Sequence, residues 1–207
     1  MKIVKEGHPF IISLSIVCLF CFILSRYTII FFLLGVLLFI LTCFFLYFFR
    51  DPKIKITYGD PYIIAPCNGT VIEVDRNETG KFIRVFLSIF DIHLQRSPIS
   101  GIVTNIEYRP GNFLHAMNGK AHLQNEQNII TVENASGRYI IKQIAGMIAR
   151  RCITWVKQGD YLNQGDKLGV IKFGSQVDLY MPNHVDVIVR KGNKVISGVT
   201  IVAIKNV

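Results

Sequence analysis

Residues 156–166 read Val-Lys-Gln-Gly-Asp-Tyr-Leu-Asn-Gln-Gly-Asp, and residues 189–198 echo them as Val-Arg-Lys-Gly-Asn-Lys-Val-Ile-Ser-Gly. Each copy runs from an apolar residue through two polar residues to Gly and Asp or Asn, and then through a short apolar step to a second Gly. Because glycine adopts the positive φ that tight hairpins need, the echo predicts two related β-turns. Turns of this kind favour an all-β domain.

Short apolar runs separated by Gly, Asn, Asp and Pro fill the chain from residue 60 onward. Their spacing predicts a mainly β fold, a sandwich or partly closed barrel. Residues 114–127 are the exception, because they are typical of a loop with a short helix. The predicted strands are residues 62–65, 70–74, 82–87, 102–108, 128–132, 139–144, 167–171, 185–190 and 199–204.

The echo and the segment Ala65-Pro66-Cys67-Asn68-Gly69-Thr70-Val71 resemble the hammerhead barrels of biotinyl and lipoyl carrier domains. Such carriers present a modifiable lysine on an exposed turn. The matching positions here, residues 172–178, read Lys-Phe-Gly-Ser-Gln-Val-Asp and offer no clear carrier lysine. A carrier or membrane-fusion adaptor is a rival interpretation, and it requires an intact chain.

The first 49 of the 207 residues differ in composition from the remaining 158. Residues 9–49 contain a single charge, Arg26, and as one straight helix they would extend about 60 Å, twice the roughly 30 Å of a hydrocarbon core. The break at residues 25–28 therefore predicts an α-helical membrane hairpin in residues 1–49, followed by a soluble domain in residues 50–207. A signal peptide is the competing interpretation, but the first apolar run lacks a small-x-small cleavage site.

The flanking cations predict the orientation of the hairpin. Lys2 and Lys5 precede it, and Arg50, Lys53 and Lys55 follow it. Both ends then favour the cytoplasm, so the soluble domain is expected at the cytoplasmic face of the cell membrane. The formal net charge of +9 suits an anionic membrane surface, and the chain carries no lysine- or arginine-rich run that would indicate nucleic acid.

Two polar residues stand close together in Phe90-Asp91-Ile92-His93. If this run is extended, Asp91 and His93 face the same side, and a carboxylate beside an imidazole can fix its tautomer. A solvent-facing strand end with an incidental Asp and His is the alternative. Gly174-Ser175 alone is typical of an ordinary turn.

Several motifs in one order resemble the short form of phosphatidylserine decarboxylase, a pyruvoyl enzyme. They are Phe48-Phe49-Arg50-Asp51-Pro52, Phe90-Asp91-Ile92-His93, Arg96-Ser97-Pro98-Ile99-Ser100-Gly101, Tyr108-Arg109-Pro110-Gly111-Asn112-Phe113, Lys120-Ala121, Asn125-Glu126-Gln127-Asn128, Gly146-Met147-Ile148-Ala149-Arg150-Arg151 and the segment 169–178. The resemblance covers nearly all of the soluble domain. Gln95, Gln127 and Gln176 depart from the Asn, Arg and Arg that are common in the family.

The resemblance implies self-cleavage between Gly174 and Ser175, into a β chain of residues 1–174 and an α chain of residues 175–207 that stay together as a heterodimer. Ser175 would become an N-terminal pyruvoyl group, the only cofactor, with no metal. That group would form a Schiff base with the amine of phosphatidylserine and allow its decarboxylation to phosphatidylethanolamine, a step of phospholipid biosynthesis.

The resemblance assigns His93 as the base for self-cleavage and Asp91 as its orienting residue. In longer members the histidine lies further along the chain, which leaves His115 and His122 as alternatives. His8 and His184 are expected to be structural or surface residues. Arg96, Arg109, Arg150 and Arg151 are the candidates for pairing with the lipid headgroup.

Three rival functions stay open at this point: a related enzyme acting on another serine phospholipid such as archaetidylserine, the carrier module, and a paralogue that never cleaves itself. Higher oligomers are also left open.

Overall fold

The computed structural model of the chain describes residues 2–56, 58–77, 80–114, 120–147, 151–172 and 175–206. The chain divides into two compact units, Met1–Lys53 and Ile54–Val207. The division falls slightly after residue 49 because the short strand β2, Arg50–Asp51, pairs with β1, Lys2–Ile3.

Two apolar helices make up most of the first unit. They are α1, His8–Leu24, which follows a 3₁₀ helix at Lys5–Gly7, and α2, Ile29–Phe48. Phe10 near the start of α1 stacks on Phe45 near the end of α2, so the helices run antiparallel. The predicted break at residues 25–28 is confirmed, and Thr28 caps α2 with its hydroxyl. Both helical segments are long and apolar enough to cross a membrane.

The described residues of the second unit form mainly β-strands and one short helix, α3, at Ala121–Gln124. The strands are β3 (Tyr62–Ile64), β4 (Gly69–Asn77), β5 (Gly80–Leu87), β6 (Leu94–Arg96), β7 (Gly101–Arg109), β8 (Gln127–Asn134), β9 (Gly137–Ala145), β10 (Cys152–Thr154), β11 (Tyr161–Leu162), β12 (Lys167–Ile171), β13 (Ser175–Met181), β14 (Val185–Val187), β15 (Lys194–Val195) and β16 (Ile201–Lys205).

Eight of these strands form one antiparallel sheet in the order β11-β7-β8-β9-β13-β5-β4-β15. The sheet curls into a half barrel, which confirms the predicted mainly β fold with a partly closed barrel. Two three-stranded sheets, β10-β12-β6 and β14-β16-β3, accompany it. The buried apolar core gathers side chains from all three sheets, among them Val85, Leu168, Val177 and Val202.

The two echoed segments form matching turns, as the sequence predicts. Asp160 and Asn193 occupy the same position in the two copies, and each accepts a hydrogen bond at its side chain from the main-chain amide three residues earlier, at 2.7 and 2.8 Å. The four glycines of the echo, at 159, 165, 192 and 198, all have positive φ, which is why an L side chain would be strained at these turns.

Candidate active site

Ser175 lies at the start of β13, between two other strands of the large sheet. It is opposite Leu87, the last residue of β5, and Ala145, the last residue of β9. The side chain is fully buried, and the hydroxyl has no hydrogen-bond partner among the described residues. Burying an unpaired hydroxyl costs about 1–3 kcal/mol, so Ser175 lowers the stability of the folded chain. Its neighbour Gly174 lies outside the described residues.

This position differs from the exposed turn that the comparison with carrier domains suggests for residues 172–178. Ser175 begins a strand whose alternate residues Val177 and Leu179 are buried in the core. Gln176 and Asp178 alternate with these residues and therefore face the opposite side of the sheet. Residues 175–178 are therefore built into the sheet and are not displayed as a carrier lysine would be.

Asp91 closes a tight turn immediately after β5. Its carboxylate accepts hydrogen bonds from the Ser88 amide at 2.8 Å and the Ser88 hydroxyl at 2.7 Å, and its own amide donates to the Ser88 carbonyl. The expected contact between this carboxylate and the imidazole of His93 is replaced by another one. The atom of Asp91 that contacts His93 is its main-chain oxygen, 2.9 Å from Nδ1.

This contact fixes the tautomer of a neutral His93. A carbonyl oxygen can only accept, so Nδ1 donates and Nε2 carries the lone pair. The imidazole is almost fully buried, which holds it in one orientation. In the neutral form Nε2 is therefore the basic nitrogen of His93, and the main-chain oxygen of Asp91 orients the ring.

Short links bring Ser175, Asp91 and His93 to the same end of the sheet. Leu87 faces Ser175 and is followed directly by Ser88, to which Asp91 is bound. The main-chain oxygen of His93 accepts a hydrogen bond of 3.1 Å from the Ile171 amide at the end of β12, four residues before Ser175.

A buried network of amide side chains binds the main-chain oxygen of His93. Gln95 donates to the His93 carbonyl at 2.7 Å, and Gln143 donates to Gln95 at 2.7 Å. The oxygen of Gln143 accepts from the hydroxyl of Thr154 at 3.2 Å. Gln95 and Gln143 are both fully buried, so the hydrogen bond between them satisfies polar groups that water does not reach. Gln95 therefore has a structural role, because it links His93 to Gln143 within this network.

The Asn125-Glu126 motif holds two further segments at this end. The Asn125 amide donates to the main-chain oxygens of Ala145 at 2.7 Å and Leu114 at 2.8 Å, and its oxygen accepts from the Leu114 amide. The Glu126 carboxylate accepts a hydrogen bond of 3.0 Å from the Cys152 amide. The motif therefore secures Ala145, the residue opposite Ser175.

A buried ion pair lies on the other face of β13. Arg84 donates to both oxygens of Asp178, at 2.8 and 2.9 Å, and also pairs with Glu73. Burial by itself lowers the pKa of Arg84, but its contacts with Asp178 outweigh that effect and the pKa is raised. The pair holds β13 against β5 three residues from Ser175.

The buried thiol of Cys67 is not activated as a nucleophile. Burial raises the pKa of Cys67, and the negative charges of Asp91 and Asp178 raise it further, so the thiol stays protonated. Among the residues that the structure describes, no group of three or more His, Cys, Asp or Glu side chains is arranged to hold a metal ion.

The other predicted histidines lie in different places. His122 is in α3, and burial and the positive charge of Arg84 both lower its pKa, so it lies near the ion pair. His184 is in the turn between β13 and β14, at the end of β13 that is remote from Ser175, and His8 begins α1. His115 lies outside the described residues.

The four candidate headgroup arginines are not equivalent. Arg96 is buried and donates to the Gly165 carbonyl at 3.0 Å, and Arg109 is exposed and paired with Glu107. Arg151 is exposed, and Arg150 lies outside the described residues.

A family model described as phosphatidylserine decarboxylase matches residues 41–203. The chain belongs to the phosphatidylserine decarboxylase family. It is 36% identical over 206 residues to a protein of Carboxydothermus hydrogenoformans and 39% identical over 208 residues to one of Beijerinckia indica subsp. indica. Both are named phosphatidylserine decarboxylase proenzyme; the matches cover 96% of this chain, 94% of the first relative and 87% of the second.

Membership of the phosphatidylserine decarboxylase family confirms the family predicted from the motifs. Reasoning from the sequence missed the supporting residues Ser88, Gln143 and Arg84. The only available signal for Arg84 and Asp178 was a charged residue within an otherwise apolar run, which also fits a solvent-facing strand position.

Proposed function

We propose that the chain decarboxylates phosphatidylserine to phosphatidylethanolamine with a pyruvoyl group that it makes from its own Ser175. The observation that carries the proposal is the fully buried Ser175 hydroxyl, without a partner among the described residues, in a chain of this family. An uncommitted hydroxyl is available to attack the peptide bond that precedes it. The word proenzyme in the names of the relatives agrees with such a maturation step.

Self-cleavage begins when the Ser175 hydroxyl attacks the carbonyl carbon of Gly174. The hydroxyl proton passes to Nε2 of His93, the new C–O bond forms, and the C–N bond between Gly174 and Ser175 breaks as its nitrogen takes up the proton. Glycine suits the attacked position because it has no side chain to obstruct the approach. The amide becomes an ester.

Elimination then separates the two chains. Loss of the Cα proton and of the Gly174 carboxylate from Cβ leaves dehydroalanine at position 175 and frees residues 1–174. Tautomerisation and addition of one water release one ammonia and leave the pyruvoyl group at the start of residues 175–207.

The strand pairing supports a stable complex of the two chains. After a cut before Ser175, β13 stays hydrogen-bonded between β5 and β9 of the β chain. The strands β15 and β16 of the α chain also pair with β4 and β3 of the β chain. The fragments would therefore hold together as a heterodimer without a covalent link.

The surroundings of Ser175 suit the decarboxylation that follows. The pyruvoyl ketone supplies the electron-withdrawing carbonyl that makes loss of carbon dioxide from the bound amino acid headgroup favourable. The side chains of Leu87 and Val177 are fully buried, so they help to keep water out of the site. Removing water makes loss of a charged carboxylate easier and strengthens every hydrogen bond to the headgroup.

The test is turnover by the purified full-length chain in mixed micelles of detergent and phosphatidylserine. We expect phosphatidylethanolamine and carbon dioxide from the native chain and none from Ser175→Ala. A parallel assay with archaetidylserine distinguishes the related serine lipids. Absence of turnover by the native chain, or full turnover by Ser175→Ala, would contradict the proposal.

We further propose that the helices α1 and α2 anchor the enzyme in the cell membrane with its catalytic domain in the cytoplasm. The apolar length of both helices and the cations at the two ends of the pair support this arrangement. A membrane-impermeant maleimide applied to intact cells should label Tyr27→Cys, in the connection between the helices, but not Lys157→Cys. Labelling of Lys157→Cys alone would show that the catalytic domain lies on the opposite side of the membrane.

A further inference from the structure

Five exposed apolar side chains lie at the end of the sheet that carries Ser175. They are Ile89, Phe90, Phe113, Leu123 and Met147, and we call them the apolar rim. Phe90 is 62% exposed and Leu123 is 72% exposed, so these side chains are directed toward solvent and not into the core. Large apolar side chains grouped in this way mark an interaction surface.

The strand register places all five at one end of the sheet. Ile89 and Phe90 follow the end of β5, and Met147 follows the end of β9, which are the two strands that flank Ser175. Phe113 follows the end of β7, and Leu123 in α3 precedes the start of β8. Because neighbouring strands are antiparallel, these connections leave the sheet on the same side.

The charges near the apolar rim favour an anionic surface as its partner. Lys120 and Arg151 are exposed close to it in the chain. The nearby carboxylates are less accessible, because Glu126 is buried and Asp91 is partly buried and bound to Ser88. Apolar side chains with flanking cations are the combination that binds the surface of an anionic bilayer.

The burial of Ser175 requires that the substrate be brought to this end of the sheet. A diacyl lipid cannot leave the bilayer readily, since each methylene moved into water costs about 0.8 kcal/mol. The catalytic domain must then lie so close to the membrane that the headgroup reaches Ser175 while the acyl chains stay in the bilayer.

We propose that the apolar rim inserts into the surface of an anionic phospholipid bilayer and surrounds the route by which the headgroup reaches Ser175. The proposal rests on the lipid substrate of the proposed function. The catalytic domain then has its own contact with lipid, in addition to the helices α1 and α2.

Quenching of tryptophan fluorescence by brominated lipid tests this contact without any need for activity. The full chain carries Trp155→Phe with either Phe90→Trp or, as the control, Ile188→Trp. Ile188 is about as exposed as the rim residues but lies at the other end of the sheet, where Arg76 of the β4–β5 hairpin binds the main-chain oxygens of Val187 and Val189. Both variants are reconstituted into vesicles of phosphatidylglycerol brominated on its acyl chains.

We expect Phe90→Trp to lose about half of its emission or more, as a side chain at the boundary of headgroups and acyl chains should, and Ile188→Trp to lose little. Equal quenching of the two variants would overturn the proposal. So would an unquenched Phe90→Trp together with a decrease in oligomeric mass for Phe90→Ser, which would make the apolar rim a contact between copies of the chain.

A kinetic comparison separates the apolar rim from the chemistry. We expect Phe90→Ser with Met147→Ser to lower turnover of vesicle phosphatidylserine roughly tenfold at limiting lipid, because two partly exposed apolar side chains no longer bind the bilayer. Turnover of a monomeric short-chain phosphatidylserine should fall much less than turnover of the vesicle lipid, and Ile188→Ser should leave both activities unchanged. An equal loss on both substrates would contradict the proposal. If the native chain turned over neither substrate, the proposed function would fail, while the quenching result would still decide the lipid contact.

Discussion

Removal of the Asp178 carboxylate should destabilise the catalytic domain strongly. Asp178 is fully buried and accepts two hydrogen bonds from Arg84, which is 6% exposed. In Asp178→Ala the guanidinium stays buried with Glu73 as its remaining ionic partner, and the cross-strand neighbour Lys142 adds a second positive charge.

The size of the effect follows from the burial of the pair. Breaking a buried ion pair by removal of one partner costs about 3–5 kcal/mol, and the half-exposed Glu73 reduces this to the lower end of that range. At about 2–4 °C per kcal/mol for a domain of this size, a loss of about 3 kcal/mol lowers the Tm by roughly 6–12 °C. Glu133→Ala, which removes an exposed ion pair with Arg138, should cost less than about 1 kcal/mol.

Thermal unfolding of the detergent-solubilised chain, followed by near-ultraviolet circular dichroism, measures the difference. Both substitutions are made in a Ser175→Ala background so that every sample is one uncut chain. Asp178→Leu combined with Arg84→Met should recover most of the loss, since it removes the unpaired charge. Equal Tm shifts for Asp178→Ala and Glu133→Ala, or a double variant less stable than Asp178→Ala, would show that the buried ion pair does not stabilise the domain in this way.

Two further predictions concern the candidate base and the acid side of the stability profile. His93→Gln should slow self-cleavage about 10²–10⁴-fold, whereas Asp91→Asn, which keeps the main-chain oxygen bound to Nδ1, should cleave within about tenfold of the native rate. A gel time course measures both, and a complete block in Asp91→Asn would show that its negative charge is needed. Because burial lowers the pKa of His122, the unfolded chain binds its proton more readily, so this residue reduces stability as the pH falls below about 6.5. The Tm of His122→Gln should therefore fall less than that of the native chain between about pH 7.5 and about pH 5. Equal decreases would show that His122 does not cause the loss of stability in acid.

The sequence was sufficient for the features that depend on local patterns. The membrane-length helices follow from a long apolar run with one internal break, and the turns at Asp160 and Asn193 follow from the spacing of their glycines. The helix predicted within residues 114–127 is present as α3. In each case a few neighbouring residues determine the conformation.

The part of the site that depends on strand pairing could not be predicted in the same way. Gly174-Ser175 and the likeness to carrier domains predict a turn where the structure has β13, whose buried Asp178 has its partner Arg84 on another strand. The carboxylate of Asp91 was expected to face His93, but the Ser88 amide and hydroxyl bind it instead. Both errors arise because the partners of a buried polar group are set by the tertiary fold.

Intact mass spectrometry of the purified, detergent-solubilised chain decides whether Ser175 becomes a pyruvoyl group. We expect two fragments, residues 1–174 and 175–207, with the smaller one lighter than its simple hydrolysis product by the mass of one ammonia. A single chain at the full mass would contradict it, and so would a smaller fragment that begins with an unmodified serine.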